Sequence, residues 1–308
     1  IPGLMESLHK KGGRVRARSG PALLLASAVT IGSGGSAGRD SPIAQIGASF
    51  GSLLGQRLRL TVADVQILAI CGFVAGLAGT FNAPLGSAIF GMEVVMRRFR
   101  MVDAVPILLA AVIGAATASS FLGTDPAFTP PETDLVLAEL WLCFVLGLVF
   151  GAVSLLWVGR ASGSERLFER LPLREDLKPA LGGFVAGAAG LIFLDYGIMG
   201  VGYDGVDRVL VLVSGSTSAD LQILLFLVAL AAAKALATAS TLGSGGSGGS
   251  IAPTLYIGAV AGAALGLVFG DLFPAAEGHA PTYALLGAGA LFAGSAGAPL
   301  TCVVMISE

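Results

Sequence analysis

Charged residues and histidines are scarce in this sequence. Only 12% of its 308 residues are Asp, Glu, Lys or Arg, well below the roughly 25% typical of soluble domains. The sequence contains two histidines. No nucleophile–base pair or metal cluster can be assembled from two histidines and scattered acids, so the sequence predicts neither an enzyme nor a protein with a cofactor.

Basic residues are not in excess either, because the formal net charge is −2 at pH 7. Proteins that bind nucleic acid usually carry a basic patch, so nucleic acid is excluded as a partner. The three cysteines, Cys71, Cys143 and Cys302, lie singly in apolar runs. Their spacing fits neither a metal site nor a disulfide framework, and it indicates core packing.

Apolar residues make up most of what is present. The hydrophobic fraction is 55%, and the mean hydropathy is +0.84. Runs long enough to cross a hydrocarbon core of about 30 Å recur along the chain. Examples are residues 102–122, 135–158, 180–194, 221–242 and 255–273. The sequence therefore predicts an all-α, polytopic protein of the lipid bilayer, whose 45 glycines allow helices to pack closely.

A glycine-rich block occurs twice. Residues 32–42 read GSGGSAGRDSP, and residues 243–253, 211 positions later, read GSGGSGGSIAP. Both copies continue through I-G-A into an apolar stretch. A flexible Gly/Ser linker has no reason to recur with the same downstream proline. The second copy also fits a dinucleotide fingerprint, but it lacks the required strand and the acid about 20 residues on. We reject both alternatives.

A second pair of motifs follows in the same order. Residues 79–85 read GTFNAPL and residues 294–300 read GSAGAPL, at an offset of 215. Glu93 and Glu308 each lie nine residues beyond the matching proline. Two matched blocks in the same order indicate an internal duplication, and in membrane proteins such repeats with broken helices usually build one shared site.

The duplication predicts the organisation of the chain. We expect a single membrane-embedded domain over residues 1–308, with repeat halves at about 1–160 and 179–308. Residues near 160–178 carry mixed charges and are predicted to form a solvated linker between the halves. Residues 123–134 contain three prolines and three acids, which predicts an exposed loop. Because the chain begins with isoleucine and ends inside an apolar run, we expect it to be part of a longer protein.

The repeated blocks suit anion binding through the backbone. In hydrocarbon, extended backbone is tolerated only where it is buried in protein or lines a wet cavity. Pro42 and Pro253 suit the first turn of the helices that follow. The free amides of those helix starts and the positive end of the helix dipole favour an anion. Full positive charge comes only from Arg39 and Lys234, which favours a small monovalent anion bound weakly enough to leave.

At this point the residues resemble a known family. GSAGRDSPIAQIG at residues 35–47 is similar to the G-[KR]-E-G-P-x-x-Q-I-G signature of the CLC chloride channels and chloride/proton antiporters. GGSIAPTLYIGA at residues 248–259 is similar to their G-x-F-x-P signature. Both Ala-Pro-Leu motifs also fall where the family has them. The resemblance implies an inverted repeat with broken re-entrant helices, a homodimer with one anion pathway per subunit, and chloride as the transported ligand. It is nearest to bacterial members, which implies a multi-pass protein of the plasma membrane.

The resemblance also implies a site. Backbone amides would bind the anion at an outer position and at a central position. They belong to Gly38, Arg39, Asp40 and Ser41, and to Gly249, Ser250, Ile251 and Ala252. The serine and tyrosine that contact the central anion in the family would lie outside this chain.

Asp40 stands where the family carries its gating glutamate. Its carboxylate is one methylene shorter, so the resemblance implies a gate that fills the outer position less completely. Protonation would remove the charge that competes with chloride. The alternative, that Asp40 caps the following helix, is compatible with gating.

Val94 stands where the antiporters of the family carry their inner proton-transfer glutamate. Valine carries no proton, which favours a passive, carboxylate-gated chloride channel. Glu93, one residue earlier and about 100° away on a helix, could substitute. This leaves a coupled chloride/proton or fluoride/proton antiporter as the alternative, and an inverted-repeat secondary transporter for another substrate as a third.

Lys234 lies within an apolar run ahead of the second glycine-rich block. A lysine inside the membrane is costly and tends to mark an ion pathway, so Lys234 is a candidate for the electrostatics of the pathway. The equally weighted alternative is that its side chain reaches from a helix end to the interface.

Overall fold

The computed structural model describes residues 12–15, 19–123, 137–216 and 219–308. Within those ranges it contains twelve α-helices. They are α1 (Ser19–Gly32), α2 (Asp40–Arg57), α3 (Val62–Phe81), α4 (Pro84–Phe90), α5 (Met101–Leu122), α6 (Leu140–Arg170), α7 (Lys178–Ile192), α8 (Tyr203–Ser214), α9 (Leu221–Gly243), α10 (Ile251–Leu272), α11 (Ala280–Ala296) and α12 (Pro299–Ser307). A π-helical turn, Gly91–Met96, extends α4, and short 3-10 turns precede α6 and α11. These ranges contain no strand beyond one isolated bridge, so the predicted all-α fold is confirmed.

Short polar side chains define where the long apolar helices begin and end. Thr61 accepts a hydrogen bond from the amide of Asp64 at the start of α3, and Asp220 accepts one from the amide of Gln222 at the start of α9. Both are side-chain caps of the kind that Thr and Asp favour. Helix α3 ends at Asn82, whose left-handed backbone stops a helix.

Five helices in the described ranges are long and apolar enough to cross a membrane. They are Val62–Phe81, Met101–Leu122, Leu137–Arg170, Leu221–Gly243 and Ile251–Leu272. Four of them overlap runs predicted from the sequence. The predicted run at residues 180–194 instead forms α7, whose 15 residues extend about 22 Å. That is shorter than a hydrocarbon core.

The helices separate into two compact units. The first unit contains α2 to α5, α12 and most of α1. Within it α2 packs against α3 with backbones in close contact, because a Cβ on Gly47 or Gly72 would overlap the carbonyl of the other. Glycine permits this approach because it has no side chain.

The second unit contains α6 to α11 together with the segment Thr30–Gly38. Here α10 and α11 also pack with their backbones in close contact, as α2 and α3 do in the first unit. A Cβ on Gly258 would lie 2.5 Å from the carbonyl oxygen of Gly287, and the reverse distance is also 2.5 Å. Gly258 is the duplicate of Gly47 at the 211-residue offset. Equivalent glycines of the two repeats therefore make equivalent helix–helix contacts.

The predicted linker, repeat halves and exposed loop can each be compared with the structure. Helix α6 runs without a break to Arg170, so much of the predicted linker at 160–178 is helical, and residues 171–177 connect α6 to α7. The two compact units do not follow the repeat halves, and the division by repeat stays a prediction. The predicted loop at 123–134 lies almost entirely outside the described residues.

Candidate functional site

The two glycine-rich blocks meet within the second unit. The amide of Gly38 donates to the carbonyl of Gly249 at 2.7 Å, and the amide of Gly249 donates back to the carbonyl of Gly38 at 2.7 Å. This reciprocal antiparallel pair joins residues 211 positions apart. The duplicated motifs, which the sequence predicts to share one site, are therefore in direct contact.

The threonine before each block extends this reciprocity. The amide of Ser36 donates to the hydroxyl of Thr241 at 3.1 Å, and the amide of Ser247 donates to the hydroxyl of Thr30 at 3.1 Å. Adding 211 to Thr30 gives Thr241, and adding 211 to Ser36 gives Ser247. Each block is thus held by the threonine of the other copy. The pairing has the two-fold character expected of a duplicated site.

Glycine is required sterically where the blocks fold back on themselves. A Cβ on Gly35 would lie 2.6 Å from the carbonyl oxygen of Thr30, and one on Gly246 would lie 2.5 Å from that of Thr241. A Cβ on Gly248 would overlap the Cβ of Ala37 in the other block. A larger residue at Gly35 or Gly246 would open the turn within its own copy, and one at Gly248 would push the two blocks apart.

A helix begins two residues beyond each paired glycine. Helix α2 begins at Asp40 and helix α10 begins at Ile251. Pro42 and Pro253 are the third residues of their helices, in the first turn as predicted. The first amides of a helix have no partner within the helix and lie at the positive end of its dipole. Each block therefore leads into a set of amides suited to an anion.

The side chains at the start of α2 differ in their exposure to solvent. Asp40 is 0% exposed, and Ser41 is also buried, whereas Arg39 is exposed. Asp40 is the first helical residue, and Arg39 occupies the N-cap position. The buried carboxylate of Asp40 therefore lies where the dipole of α2 favours negative charge. This is also where a competing anion would be favoured.

At the start of α10 the residues are mostly apolar. Gly249, Ile251 and Ala252 are buried, and Ser250 at the N-cap position is exposed. No ionisable side chain lies among these four residues, so what they offer an anion is their amides and the dipole of α10.

Lys234 lies in the interior of α9 and is 0% exposed. Its ammonium group donates to backbone carbonyls of the connection between α7 and α8, at 2.8 Å from Gly197, 3.1 Å from Ile198 and 3.0 Å from Gly200. The side chain therefore does not reach to an interface, and that alternative from the sequence is wrong. The buried charge is solvated by carbonyl groups.

Glu93 does not have a free carboxylate. Within the first unit it accepts hydrogen bonds from the amides of Leu300 and Thr301 at 3.1 and 2.8 Å, and from the hydroxyl of Thr301 at 2.7 Å. These amides belong to the first turn of α12. Val94, the next residue, is half-buried. Glu93 therefore caps a helix, and the geometry does not support its substitution for an inner proton acceptor.

Glu308, to which the sequence assigns no role, caps a helix in the same way as Glu93. Its carboxylate accepts from the amides of Leu85 and Gly86 at 2.9 and 2.8 Å, in the first turn of α4. The two duplicated glutamates thus cap each other's Ala-Pro-Leu helices. The shared nine-residue offset from proline was the signal in the sequence that could have predicted this exchange.

A buried polar cluster of the second unit was not predicted. Glu139 is 0% exposed, and both its carboxylate oxygens lie 3.0 Å from Nδ1 of His279. The hydroxyl of Tyr283 donates to the same carboxylate at 2.9 Å. The sequence places His279 140 residues from Glu139, so no local pattern indicates the contact.

The beginning of the second glycine-rich block borders a recess of the second unit. Its volume is about 360 Å³, and its lining includes Gly243, Ser244 and Gly245. Glu165, Glu169 and Lys178, from the ends of α6 and α7, also line it. The ammonium of Lys178 lies 2.9 Å from Glu175. Charged residues of the predicted linker thus lie beside the glycine-rich block.

Comparison with known proteins gives a consistent result. A family model described as voltage gated chloride channel matches residues 1–308. A putative chloride channel protein ClcB-like from Ralstonia nicotianae is 33% identical, covering 99% of this chain and 70% of that protein. The H(+)/Cl(-) exchange transporter ClcA of Yersinia pestis is 32% identical over 91% of this chain. The chain spans 58% of the length of that transporter.

Two crystal structures have a similar fold. One is a slow cyanobacterial Cl−/H+ antiporter, with a TM-score of 0.79 and 26% identity, covering 93% of this chain and 66% of that one. The other is a CLC-type fluoride/proton antiporter, with a TM-score of 0.79 and 25% identity, covering 99% of this chain and 73% of that one.

Proposed function

Because this chain belongs to the voltage-gated chloride channel family, with a match over residues 1–308, we propose that it transports chloride across a membrane in exchange for protons. The predicted fold class, an all-α polytopic membrane protein of the CLC type, is confirmed by the similar structures. The family transports ions and is not enzymatic. The proton-exchange part of the proposal is supported by similar proteins. They include H(+)/Cl(-) exchange transporters, a Cl−/H+ antiporter and a fluoride/proton antiporter.

The observation that carries the proposal is the reciprocal bond between Gly38 and Gly249. It joins two duplicated blocks, each of which leads into a helix start, where the first amides have no partner within the helix itself. Chloride is proposed to bind the amides of residues 39–41 at one position and those of residues 250–252 at another. The amides of Gly38 and Gly249, which the sequence also predicts as ligands, donate to each other's carbonyls instead. Amides and dipoles stabilise a small halide enough for it to enter, and they bind it weakly enough for it to leave.

Asp40 is the proposed gate. Its carboxylate is buried at the first position of α2, where the positive end of the helix dipole suits a negative charge, whether that of the carboxylate or that of chloride. The two negative charges compete for one position. Protonation of the carboxylate frees the position for the anion and also carries a proton, which couples the two ions in one step.

A passive, carboxylate-gated chloride channel, the reading that the sequence alone favours, is the second candidate. One observation favours it. Val94 has no ionisable group, and the carboxylate of the neighbouring Glu93 is bonded to three donors of α12. Neither residue fits the inner proton acceptor. The family match leaves no support for a secondary transporter of an unrelated substrate.

Assembly and location complete the proposal. The protein is an integral, multi-pass membrane protein by family and by its apolar helices. We place it in the bacterial plasma membrane, because the relatives named above are bacterial, and we propose a homodimer by resemblance to the family.

Chloride efflux from liposomes with simultaneous proton recording tests the proposal. An exchanger in a pH gradient moves protons against their gradient when chloride runs down its own, at a fixed ratio of the two ions. Chloride flux without proton movement would establish the channel instead. Absence of chloride, bromide and nitrate flux would refute both.

A further inference from the structure

The connection between α7 and α8 has an unusual backbone. Asp195, Gly197, Gly200 and Gly202 all have positive φ, at 73°, 66°, 67° and 98°. Four left-handed residues within eight positions bend the chain sharply. We call residues 195–202 the carbonyl loop, because it directs the carbonyls of three of its residues at one point.

The ammonium group of Lys234 occupies that point. It lies 2.8–3.1 Å from the carbonyl oxygens of Gly197, Ile198 and Gly200. A lysine ammonium has three donors, so every one of them is used within the loop. The aromatic ring of Tyr256 lies 5.1 Å from Nζ, and its hydroxyl donates to the carbonyl of Tyr196. Helices α9 and α10 thus both bind the loop.

The carbonyl loop in turn contacts the first glycine-rich block. The amide of Gly200 donates to the carbonyl of Gly35 at 3.1 Å. The sulfur of Met199 lies 3.3 Å from the position of a Cβ on Gly34. Gly200 therefore bonds Lys234 through its carbonyl and Gly35 through its amide, so that a single residue links the lysine to the block.

Helix α9 binds the same block directly. The hydroxyl of Ser36 lies 2.9 Å from that of Thr238, and the amide of Ser36 donates to Thr241. Thr238 is one turn beyond Lys234 on the helix. The block is thus attached to α9 in two ways. The first is direct, through the hydroxyl groups of Thr238 and Thr241, and the second is indirect, through the carbonyl loop that Lys234 binds. The second attachment depends on the lysine, because without the cation three carbonyls would converge with no donor.

We infer that Lys234 is a positioning residue for chloride transport, one that fixes the first glycine-rich block through the carbonyl loop. The inference rests on the proposed function, since the block matters for transport only if its helix start binds the anion. The required property of Lys234 is three donors at one compact point. A positive charge alone is not enough.

Two substitutions separate geometry from charge. Lys234→Met keeps the unbranched, flexible shape of the side chain, one heavy atom shorter, and removes the donors. Lys234→Arg keeps the charge, but its planar guanidinium cannot place three donors at one compact point. Both variants are expected to lower chloride flux in liposomes by about tenfold or more. Leu236→Met, on the exposed face of the same helix, is the matched control and should retain the flux of the unmodified protein.

Hydrogen exchange of the same variants provides the second measurement. In Lys234→Met and Lys234→Arg, amides of residues 197–202 and 34–38 should exchange faster, while amides of α10 are unchanged. Normal flux in Lys234→Arg would overturn the inference in favour of a purely electrostatic role. Normal flux in Lys234→Met would overturn it outright, since that variant has neither the donors nor the charge. If the unmodified protein moves no chloride, the proposed function fails, and hydrogen exchange still decides the role of Lys234 in the loop.

The unmodified protein offers a test that does not depend on folding of the variants. The amide of Gly200 should exchange as slowly as the interior amides of α9, because it is bonded to Gly35 in a loop with a buried cation. Exchange of this amide at the rate of an exposed connection would overturn the inference.

Discussion

The carboxylate of Glu93 lies 2.8 Å from the amide nitrogen of Thr301, 208 residues further along the chain. The carboxylate caps a helix of the other repeat, and Glu308 returns the same contact to α4. An acid placed beside the proton-transfer position of the family thus has a structural role. The two glutamates join the repeats within the first unit.

Glu93→Gln is therefore expected to affect stability more than coupling. The substitution removes the charge at the positive end of the α12 dipole and weakens three hydrogen bonds, at a cost of about 1.5–3 kcal/mol in free energy of unfolding. Glu308→Gln, at an exposed residue, should cost less. Chemical unfolding in detergent measures both. Loss of proton movement in a Glu93→Gln protein of normal stability would contradict the capping role.

Asp40→Ala is expected to raise chloride flux and to abolish its dependence on pH. In the unmodified protein flux should rise as the pH falls, because protonation removes the negative charge that competes with chloride. Alanine removes that charge at every pH, and it also removes the proton carrier. Efflux measured over a pH series tests this expectation.

Asp40→Glu is the matched substitution, since it restores the carboxylate of the family. It should retain the pH dependence and lower the flux, because a longer side chain fills the anion position more completely. Equal flux and equal pH dependence in all three proteins would show that Asp40 does not gate.

Gly248→Ala tests the contact of the two glycine-rich blocks. The added methyl would overlap Ala37 of the other block, and overpacking of this kind typically costs about 1–3 kcal/mol. Both stability and chloride flux should fall. Gly183→Ala, in α7 with open space around its Cβ position, is the control and should be neutral or slightly stabilising. A fully active Gly248→Ala protein would mean that the blocks can separate without consequence.

Glu139→Gln is expected to destabilise the second unit. The buried carboxylate accepts from Tyr283 and lies against His279, and changing one partner of a buried network leaves others unsatisfied. A loss of about 1–3 kcal/mol in free energy of unfolding should follow. Glu277→Gln, at an exposed position nearby in sequence, should have little effect. A stable Glu139→Gln protein would show that the network contributes nothing to stability.

Some features of the site could be predicted from the sequence and others could not. The repeated blocks and their prolines predicted both helix starts, because glycine and proline act on the local backbone. The partners of Lys234 could not be predicted, since they depend on a loop whose left-handed turns bring three carbonyls together. The contact of Glu139 with His279 depends on the packing of α6 and α11. Burial of Lys234 rather than extension to an interface likewise follows from the surrounding helices.

The bond between Gly38 and Gly249 has a consequence for biosynthesis. A ribosome adds about 5–20 residues per second, so the first glycine-rich block is made on the order of 10–40 s before its partner exists. During that interval its backbone donors and acceptors must be satisfied by water, lipid headgroups or the insertion machinery. Assembly of the transport pathway therefore has to follow synthesis of the chain as far as Gly249, and a truncation ahead of Gly249 would leave the first block without its hydrogen-bonding partner.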